Sequence, residues 1–379
     1  MSRMNRVLLT AGALLMLVSS AAMAFDPFPN PVRNNTLSGG DSFNTNFISD
    51  SNGAYSWFGR IYRNADHVRV TWAPGSEAQG LGFIKSEKTY GAYMLHLQSG
   101  YTYYDRQLEG EYNHFTLGYG YAFENFDLGV IYNRQGISAN FEDPETRAEV
   151  SESMNSLGAG ITYDMSEETV FDATFMFSTG SEDDGVDEDP ENDWEGSGFG
   201  AGARVFHVWR DDVTLIPVFT FSSFTDKYGD DSEEKSTAFA GGLAFDYTIN
   251  EDNDLYLYLS YQSSKLEDTE GDDTWEDTHT AMPGIGAAVE HELTDMFTMR
   301  MGATKNWIKH EETDPIDETT DEMKSYPWQF TFGMGVALGD WMIDLELNQA
   351  WMYQAGYWFH GADATNQPPV AQMEAKLWF

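Results

Sequence analysis

The chain has 379 residues, with 62 Asp and Glu against 21 Lys and Arg, a formal net charge of −41 and no Cys. The missing Cys excludes a disulfide scaffold and thiolate metal sites. The strong negative charge argues against nucleic acid as a partner, because a polyanion is bound by Lys and Arg that displace its counterions. Aromatic residues make up 15% of the chain, and no convincing amphipathic helix follows residue 24, which argues against a set of soluble domains.

Residues 1–24 have the pattern of an export signal. Arg3 and Arg6 precede the apolar run Val7–Val18, and small residues follow, ending in Ala22-Met23-Ala24. A basic region, an apolar region and a small-residue cleavage site in this order predict a signal peptide, with Phe25 as the first mature residue. The apolar run is too short to cross a membrane comfortably, since a spanning helix needs about 20 residues.

From Tyr90 onward the sequence predicts strands joined alternately by short turns and long acidic loops. The clearest hairpin is Gly196–Phe224, in which two strands flank the turn Arg210-Asp211-Asp212. Along Thr237–Ile249, large apolar residues alternate with small or polar ones, as in a strand with one face toward lipid and the other toward a lumen. Short periplasmic turns that alternate with long extracellular loops are typical of outer-membrane barrels.

These patterns predict an all-β fold, a transmembrane antiparallel up-and-down β-barrel formed by residues 90–379. The count from Tyr90 is about 14 strands, an even number with both ends on the periplasmic side. Val68–Trp72 and Leu81–Ile84 also alternate, and their inclusion would make about 16 strands. Residues 25–89 are otherwise irregular. They are expected to form a plug or hatch in the lumen or a segment at its periplasmic mouth, with a loosely ordered leader as the alternative.

The last strand ends in Ala375-Lys376-Leu377-Trp378-Phe379. Its terminal Phe379 resembles the C-terminal assembly signal of bacterial outer-membrane barrels. The resemblance covers residues 90–379 and implies the outer membrane of a Gram-negative-type bacterium, contact with its lipid, and assembly by the barrel-assembly machinery. The strand count and the irregular leader are also similar to the long-chain fatty-acid transporter family, whose barrel is closed by an N-terminal hatch. That family's Asn-Pro-Ala hatch signature is absent from residues 25–88.

Ionisable residues on the predicted inner face are the candidates for selectivity. They are Arg204, Arg300, Asp344, Glu346, Asp172, Asp246, Glu290, His96 and His114. The two arginines among carboxylates predict an internal charge ladder, which either selects solutes or only stabilises the wall. His96 and His114 lie on adjacent strands, but no nucleophile stands at a matching level, so catalysis is not predicted. The other histidines are scattered and indicate no metal triad.

The predicted extracellular loops carry most of the negative charge. The densest stretches are Glu182–Glu195, Glu267–Asp277 and Glu311–Glu322. Their carboxylates lack the regular spacing of an EF-hand loop. A solvated acidic fringe is therefore the interpretation, with loosely bound divalent cations as the alternative and no cofactor.

These observations lead to an outer-membrane channel or transporter for passive passage of a small solute, either porin-like or for a hydrophobic substrate. The acidic loops and lumen favour cations and neutral solutes. One alternative is a scaffold, secretion partner or cation-binding surface protein that transports nothing, and an outer-membrane enzyme is the third. The sequence leaves the substrate and the oligomeric state open.

Overall fold

The structure is a computed structural model that describes residues 32–38, 41–48, 51–73, 78–87, 89–104, 108–140, 149–183, 194–228, 232–270, 273–314, 319–347 and 370–379. The predicted signal peptide lies outside the described residues. The strands are β1 (His67–Ala73), β2 (Ala78–Glu87), β3 (Gly91–Tyr104), β4 (Leu108–Ala122), β5 (Phe126–Asn140), β6 (Glu149–Ser166), β7 (Thr169–Asp183), β8 (Trp194–Arg210), β9 (Val213–Tyr228), β10 (Ser232–Asn250), β11 (Asn253–Glu270), β12 (Asp273–Thr294), β13 (Phe297–Asp314), β14 (Thr319–Ser325), β15 (Trp328–Leu338), β16 (Trp341–Leu347) and β17 (Val370–Trp378). Among the described residues, no helix is long and apolar enough to cross a membrane.

The strands form one closed antiparallel sheet. Neighbours in the chain pair with each other, and β17 pairs with β1, which closes the barrel. β14 and β15 both pair with β13, one after the other, and share one position in the wall. Pro327 lies between them and has no N–H to donate to the ladder. The barrel thus has sixteen wall positions, so the alternative strand count is confirmed. The count of about 14 was too low because Val68–Trp72 and Leu81–Ile84 belong to β1 and β2.

The strands extend well beyond the membrane on the side opposite the short turns. β12 has 22 residues and β13 has 18, whereas about 9–11 tilted residues cross the apolar layer. Much of two acidic stretches predicted to be in extracellular loops, Glu267–Asp277 and Glu311–Glu322, is therefore paired strand. Cross-strand ion pairs stabilise this polar extension, as between Lys265 and Glu276 at 2.8 Å.

The outer face of the wall is apolar, and the inner face is small or polar. On β10, Phe239 is 38% exposed, whereas Ala240 and Ala244 are buried, as the alternation in Thr237–Ile249 predicts. On β11, Leu257 and Leu259 are similarly exposed. An outward apolar band on a closed antiparallel barrel is the surface that faces lipid. The chain is therefore an outer-membrane protein.

The described residues between 32 and 65, here called the lumenal segment, lie inside the barrel. The segment contains helix α1 (Val32–Leu37) and three 3-10 helices, Phe43–Phe47, Ser51–Tyr55 and Phe58–Arg60. α1 contacts β12, β13, β15, β16 and β17, the first 3-10 helix contacts β9 and β10, and the last contacts β4, β5, β6 and β7. Of the stretch predicted to be a plug or hatch, residues 67–73 and 78–87 instead form β1 and β2, and residues 25–31 lie outside the described residues.

The two ends of the wall meet on the periplasmic side. The N–H of Phe379 donates to the carbonyl of Asp66 at 3.1 Å, and the Phe379 ring stacks on Phe83 with centroids 6.0 Å apart. Asp66 has a positive φ of 63°, a conformation that Asp tolerates better than most residues. Partial burial would raise the pKa of Asp66, but hydrogen bonds from Ser86 and Lys85 outweigh burial and lower it. Phe379 thus takes part in closing the barrel, and its role in assembly stays a prediction.

Candidate functional site

A buried carboxylate on the inner wall connects the lumenal segment to β8. Asp172 is fully buried, and its Oδ2 accepts from Nε of Arg60 at 2.7 Å and from Nε of Arg204 at 2.8 Å. Its Oδ1 accepts from the hydroxyl of Thr162 at 2.7 Å. Arg204 also donates to the carbonyl of Asn46 at 2.8 Å. The predicted charge ladder is therefore present at this point, and it includes an arginine of the lumenal segment.

A second group of charges lies across the lumen, between β12, β13 and β16. Nη2 of Arg33 donates to Glu290 at 2.7 Å, and Glu290 also pairs with Arg300. Arg300 pairs in turn with Asp344. The amide of Asn35 donates to Glu346 at 2.6 Å. Two residues of α1, Arg33 and Asn35, are thus bound by carboxylates of the wall.

A third group holds the lumenal segment at its periplasmic end. Arg63 pairs with Asp127 at the start of β5 and with Asp164 near the end of β6, the latter through both guanidinium Nη atoms at 2.8 Å. The bidentate geometry fixes the orientation of the guanidinium as well as its position.

Two apolar clusters fill the space between the lumenal segment and the wall. One combines Phe47 and Trp57 with Ile216 and Tyr258, and the other combines Phe58 and Ile61 with wall residues that include Met94. The ring of Phe47 stacks on that of Tyr258 with centroids 5.4 Å apart. Burial of this apolar surface stabilises the packing of the lumenal segment against the wall.

Inward glycines allow the backbone of the segment to touch the backbone of the wall. A Cβ added at Gly129 would overlap the carbonyl of Phe58, and one at Gly160 would lie 2.7 Å from the N atom of Gly59. Real Cβ atoms do not approach other heavy atoms this closely. The close approach of the Phe58 backbone to β5 therefore requires that Gly129 has no Cβ.

The two inward histidines lie under the lumenal segment. The rings of His96 and His114 are 5.7 Å apart, and the Tyr55 ring is 5.8 Å from that of His96. The guanidinium of Arg69 lies 4.5 Å from the Tyr55 ring, and His114 hydrogen-bonds Thr116 at 3.1 Å. The two rings thus pack against Tyr55 and Thr116 inside the barrel.

The nine candidate residues thus lie on inward positions, but not along one open path. Most are buried, and seven of them contact the lumenal segment directly or through one intervening side chain. These seven are Asp172, Arg204, Glu290, Arg300, Glu346, His96 and His114. Asp344 pairs with Arg300, which pairs in turn with Glu290. Oδ1 of Asp246 has no hydrogen-bond partner among the described residues. Their role in selectivity stays a prediction.

Sequence reasoning missed the basic partners Arg33, Arg60 and Arg63. A signal was present, since these arginines lie in a leader that precedes a wall rich in inward carboxylates. The irregular composition of the leader does not indicate which wall carboxylate each arginine meets.

A buried pair of carboxyl groups lies above the apolar band. Asp226 and Glu234 are directly opposite each other on β9 and β10, and both are at least 95% buried beside Trp194 and Phe224. Burial and the charge of Glu234 raise the pKa of Asp226 to about 7. Burial and the charge of Asp268 raise the pKa of Glu234 to about 7.

Stability of this end of the barrel should fall as the pH rises from about 4 to about 7. In this window the folded state retains protons that the unfolded chain has already released, so a higher pH favours unfolding, and the loss levels off above pH 7. We expect Asp226→Asn to flatten the change in denaturant midpoint between pH 5 and pH 8. The exposed neighbour Glu233 provides the control, Glu233→Gln, which should keep the wild-type pH dependence. An equal slope in all three proteins would contradict the prediction.

No family model and no curated protein matches the chain. Among solved structures, it is similar to BauA, the ferric preacinetobactin receptor from Acinetobacter baumannii, at 13% identity and a TM-score of 0.48, over 74% of this chain and 53% of that one. It is also similar to the ferric citrate transporter FecA in its unliganded form, at 10% identity and a TM-score of 0.48, over 82% and 55%. A Pseudomonas aeruginosa FadL homologue matches at 9% identity and a TM-score of 0.44, over 93% and 99%.

The chain spans about half the length of the two ferric-ligand proteins. At these identities the similarity concerns the fold alone. The closed wall, the apolar outer band and the filled lumen make this chain an outer-membrane β-barrel that carries a segment of itself inside.

Proposed function

We propose that the protein is an outer-membrane transporter of small solutes whose resting state is closed by the lumenal segment. The observation that supports this is the distribution of its anchors. Arg60 and Arg63 pair with carboxylates on the adjacent strands β5, β6 and β7, whereas Arg33 pairs with Glu290 on β12, on another side of the barrel. A solute or partner that competes for these charges can loosen the segment without unfolding the wall.

The proposed solute is a cation or a neutral molecule. The chain has a formal net charge of −41, and cross-strand acidic residues such as Glu276 and Glu322 extend the wall on the extracellular side. A charged mouth concentrates counter-ions over about one Debye length, roughly 8–10 Å at physiological salt. Reversal potentials across a salt gradient should therefore show cation preference that weakens as the salt concentration rises. Anion preference at low salt would contradict the proposal that the solute is a cation or a neutral molecule.

Conductance in planar bilayers tests whether the segment is a gate. The chain has no native Cys, so a reversible tether can be placed without interference. A Cβ at Gly120 would lie 2.9 Å from the Cβ of Ile61, which is shorter than the range of about 3.5–4.5 Å that a disulfide needs, so the two backbones must separate slightly to form the bond. We expect the Ile61→Cys/Gly120→Cys protein to conduct when reduced and to lose its openings when oxidised.

A second comparison separates transport from a scaffold role. The Arg60→Gln/Arg63→Gln protein removes two anchors and should open more often than wild type. The scaffold alternative is favoured by the apolar clusters on both sides of the segment, which make displacement costly. The scaffold alternative is correct if three proteins show no conductance while each still migrates as a heat-modifiable barrel. These are wild type, Arg60→Gln/Arg63→Gln and a chain without residues 25–65.

A further inference from the structure

Two imidazoles and a carboxylate meet on the extracellular part of the wall, between β12 and β13. His279 is directly opposite His310 in the ladder, and their rings make an edge contact with centroids 4.2 Å apart. Nε2 of His279 lies 2.6 Å from Nδ1 of His310. Oδ1 of Asp277 lies 3.3 Å from the same His310 nitrogen and 3.8 Å from the His279 nitrogen. Three potential ligand atoms therefore converge on one point.

A bulge in β12 produces this convergence. The ladder between β12 and β13 shifts by one residue between Ala281 and Gly284, where Pro283 cannot donate a hydrogen bond. Without the shift, His279 would be opposite Glu311. With it, His279 faces His310, so histidines that are scattered along the sequence lie side by side in the fold.

The cluster lies outside the lipid-facing band and remains accessible. His310 follows Trp307, an exposed aromatic residue at the upper edge of the apolar outer surface. The side chain of His279 is 49% exposed and that of Asp277 is 21% exposed. An ion from the extracellular solution can therefore approach the cluster at His279, the most exposed of the three side chains.

The ligand types favour a transition metal over Ca²⁺ or Mg²⁺. Imidazole nitrogens suit Zn²⁺ and Cu²⁺, whereas Ca²⁺ and Mg²⁺ take oxygen ligands. Tetrahedral Zn²⁺ with bonds of about 2.0–2.1 Å places its ligand atoms about 3.3 Å apart. The carboxylate distances of 3.3 and 3.8 Å are near this value, and the two imidazoles must separate by less than about 1 Å. Oδ1 of Asp277 is buried and accepts no hydrogen bond from the described residues, so it is available as a ligand.

We propose that Asp277, His279 and His310 bind a divalent first-row transition metal ion, with Zn²⁺ as the reference ion. The fourth position of the metal is open to water or to a bound chelating solute. Acidic neighbours such as Glu276 and Glu312 raise the local concentration of cations. The inference does not depend on whether the barrel transports a solute.

Titration of the purified full chain in detergent with Zn²⁺, in the presence of excess Ca²⁺, tests the proposal. We expect one Zn²⁺ site that resists Ca²⁺ competition and that His310→Gln or His279→Gln weakens by at least about 10–100-fold. His291→Gln, on the same strand but near the periplasmic turn, is the matched control and should bind as wild type does. Heat-modifiable migration verifies that each variant is folded.

Cu²⁺ gives an independent spectroscopic measurement. Its electron paramagnetic resonance spectrum should show coupling to two imidazole nitrogens in wild type and in His291→Gln, and to one in either single variant of the cluster. The proposal is overturned if Ca²⁺ displaces Zn²⁺ completely, or if His279→Gln and His310→Gln bind both metals as wild type does. Binding would then belong to the acidic fringe.

Discussion

Asp172→Asn is expected to lower the free energy of unfolding by about 3–5 kcal/mol, because it leaves buried guanidinium groups without their counter-charge. Asp172 is fully buried and accepts from both Arg60 and Arg204. An amide of the same size removes the negative charge but keeps the shape, so the change reports electrostatics more than packing. The measurement is the denaturant midpoint in detergent, followed by intrinsic tryptophan fluorescence.

The matched control for this prediction is Asp164→Asn. Asp164 also pairs with an arginine of the lumenal segment, but its side chain is 44% exposed. An exposed pair contributes about 1 kcal/mol or less, because water and salt screen it. Equal midpoints for the two variants would show that burial does not decide the strength of these anchors. A lower midpoint for Asp172→Asn with unchanged conductance would assign the pair to wall stability alone.

The wall of the barrel was predictable because its constraints are local. Alternation along Thr237–Ile249 separates a lipid face from a lumen face, and a short charged turn such as Arg210-Asp211-Asp212 fixes the pairing of its two strands. The first two strands are only an alternative in the sequence because the alternating stretches Val68–Trp72 and Leu81–Ile84 are short and lie beside an irregular leader. Their pairing with β17 depends on contacts between opposite ends of the chain, which no local pattern contains.

The contacts of the lumenal segment could not be predicted in the same way. Inward glycines such as Gly160 indicated room for a pore or a plug, and the structure places Gly59 against this position. Which wall residue each arginine meets depends on the path of residues 32–65 through the lumen. That path is set by non-local packing, for example of Phe47 on Tyr258. The sequence therefore predicts the charges of the site but not their partners.

The metal cluster shows how a single irregularity limits sequence reasoning. An uninterrupted hairpin between β12 and β13 would place His279 opposite Glu311, and only the bulge near Pro283 brings it opposite His310. Pro283 was a visible signal that the ladder is interrupted. It does not tell in which direction the register shifts.

Gly129→Ala is expected to displace the lumenal segment from the wall while leaving the barrel closed. The new methyl group would overlap the carbonyl of Phe58, which is backbone and cannot move aside by a side-chain rotation. Overpacking of a well-packed contact costs about 1–3 kcal/mol, and here the cheapest relief is movement of the segment. Readouts are faster proteolysis within residues 51–65 and an increased open probability in planar bilayers.

Gly136→Ala on the same strand is the control, since among the described residues a Cβ there meets only the carbonyl of Glu152, at 3.9 Å. It should behave as wild type in both measurements, because the same change in side chain has space to be accommodated. If both alanine variants remain closed and resist proteolysis equally, the segment tolerates a shift at the contact between Gly129 and Phe58. This contact is then not what keeps the lumen closed. If only Gly129→Ala opens, close backbone contact at this glycine is what holds the segment in place. The Ile61→Cys/Gly120→Cys tether, once oxidised in the Gly129→Ala background, should then close the pore again, because it restrains the residues that follow Phe58 against β4.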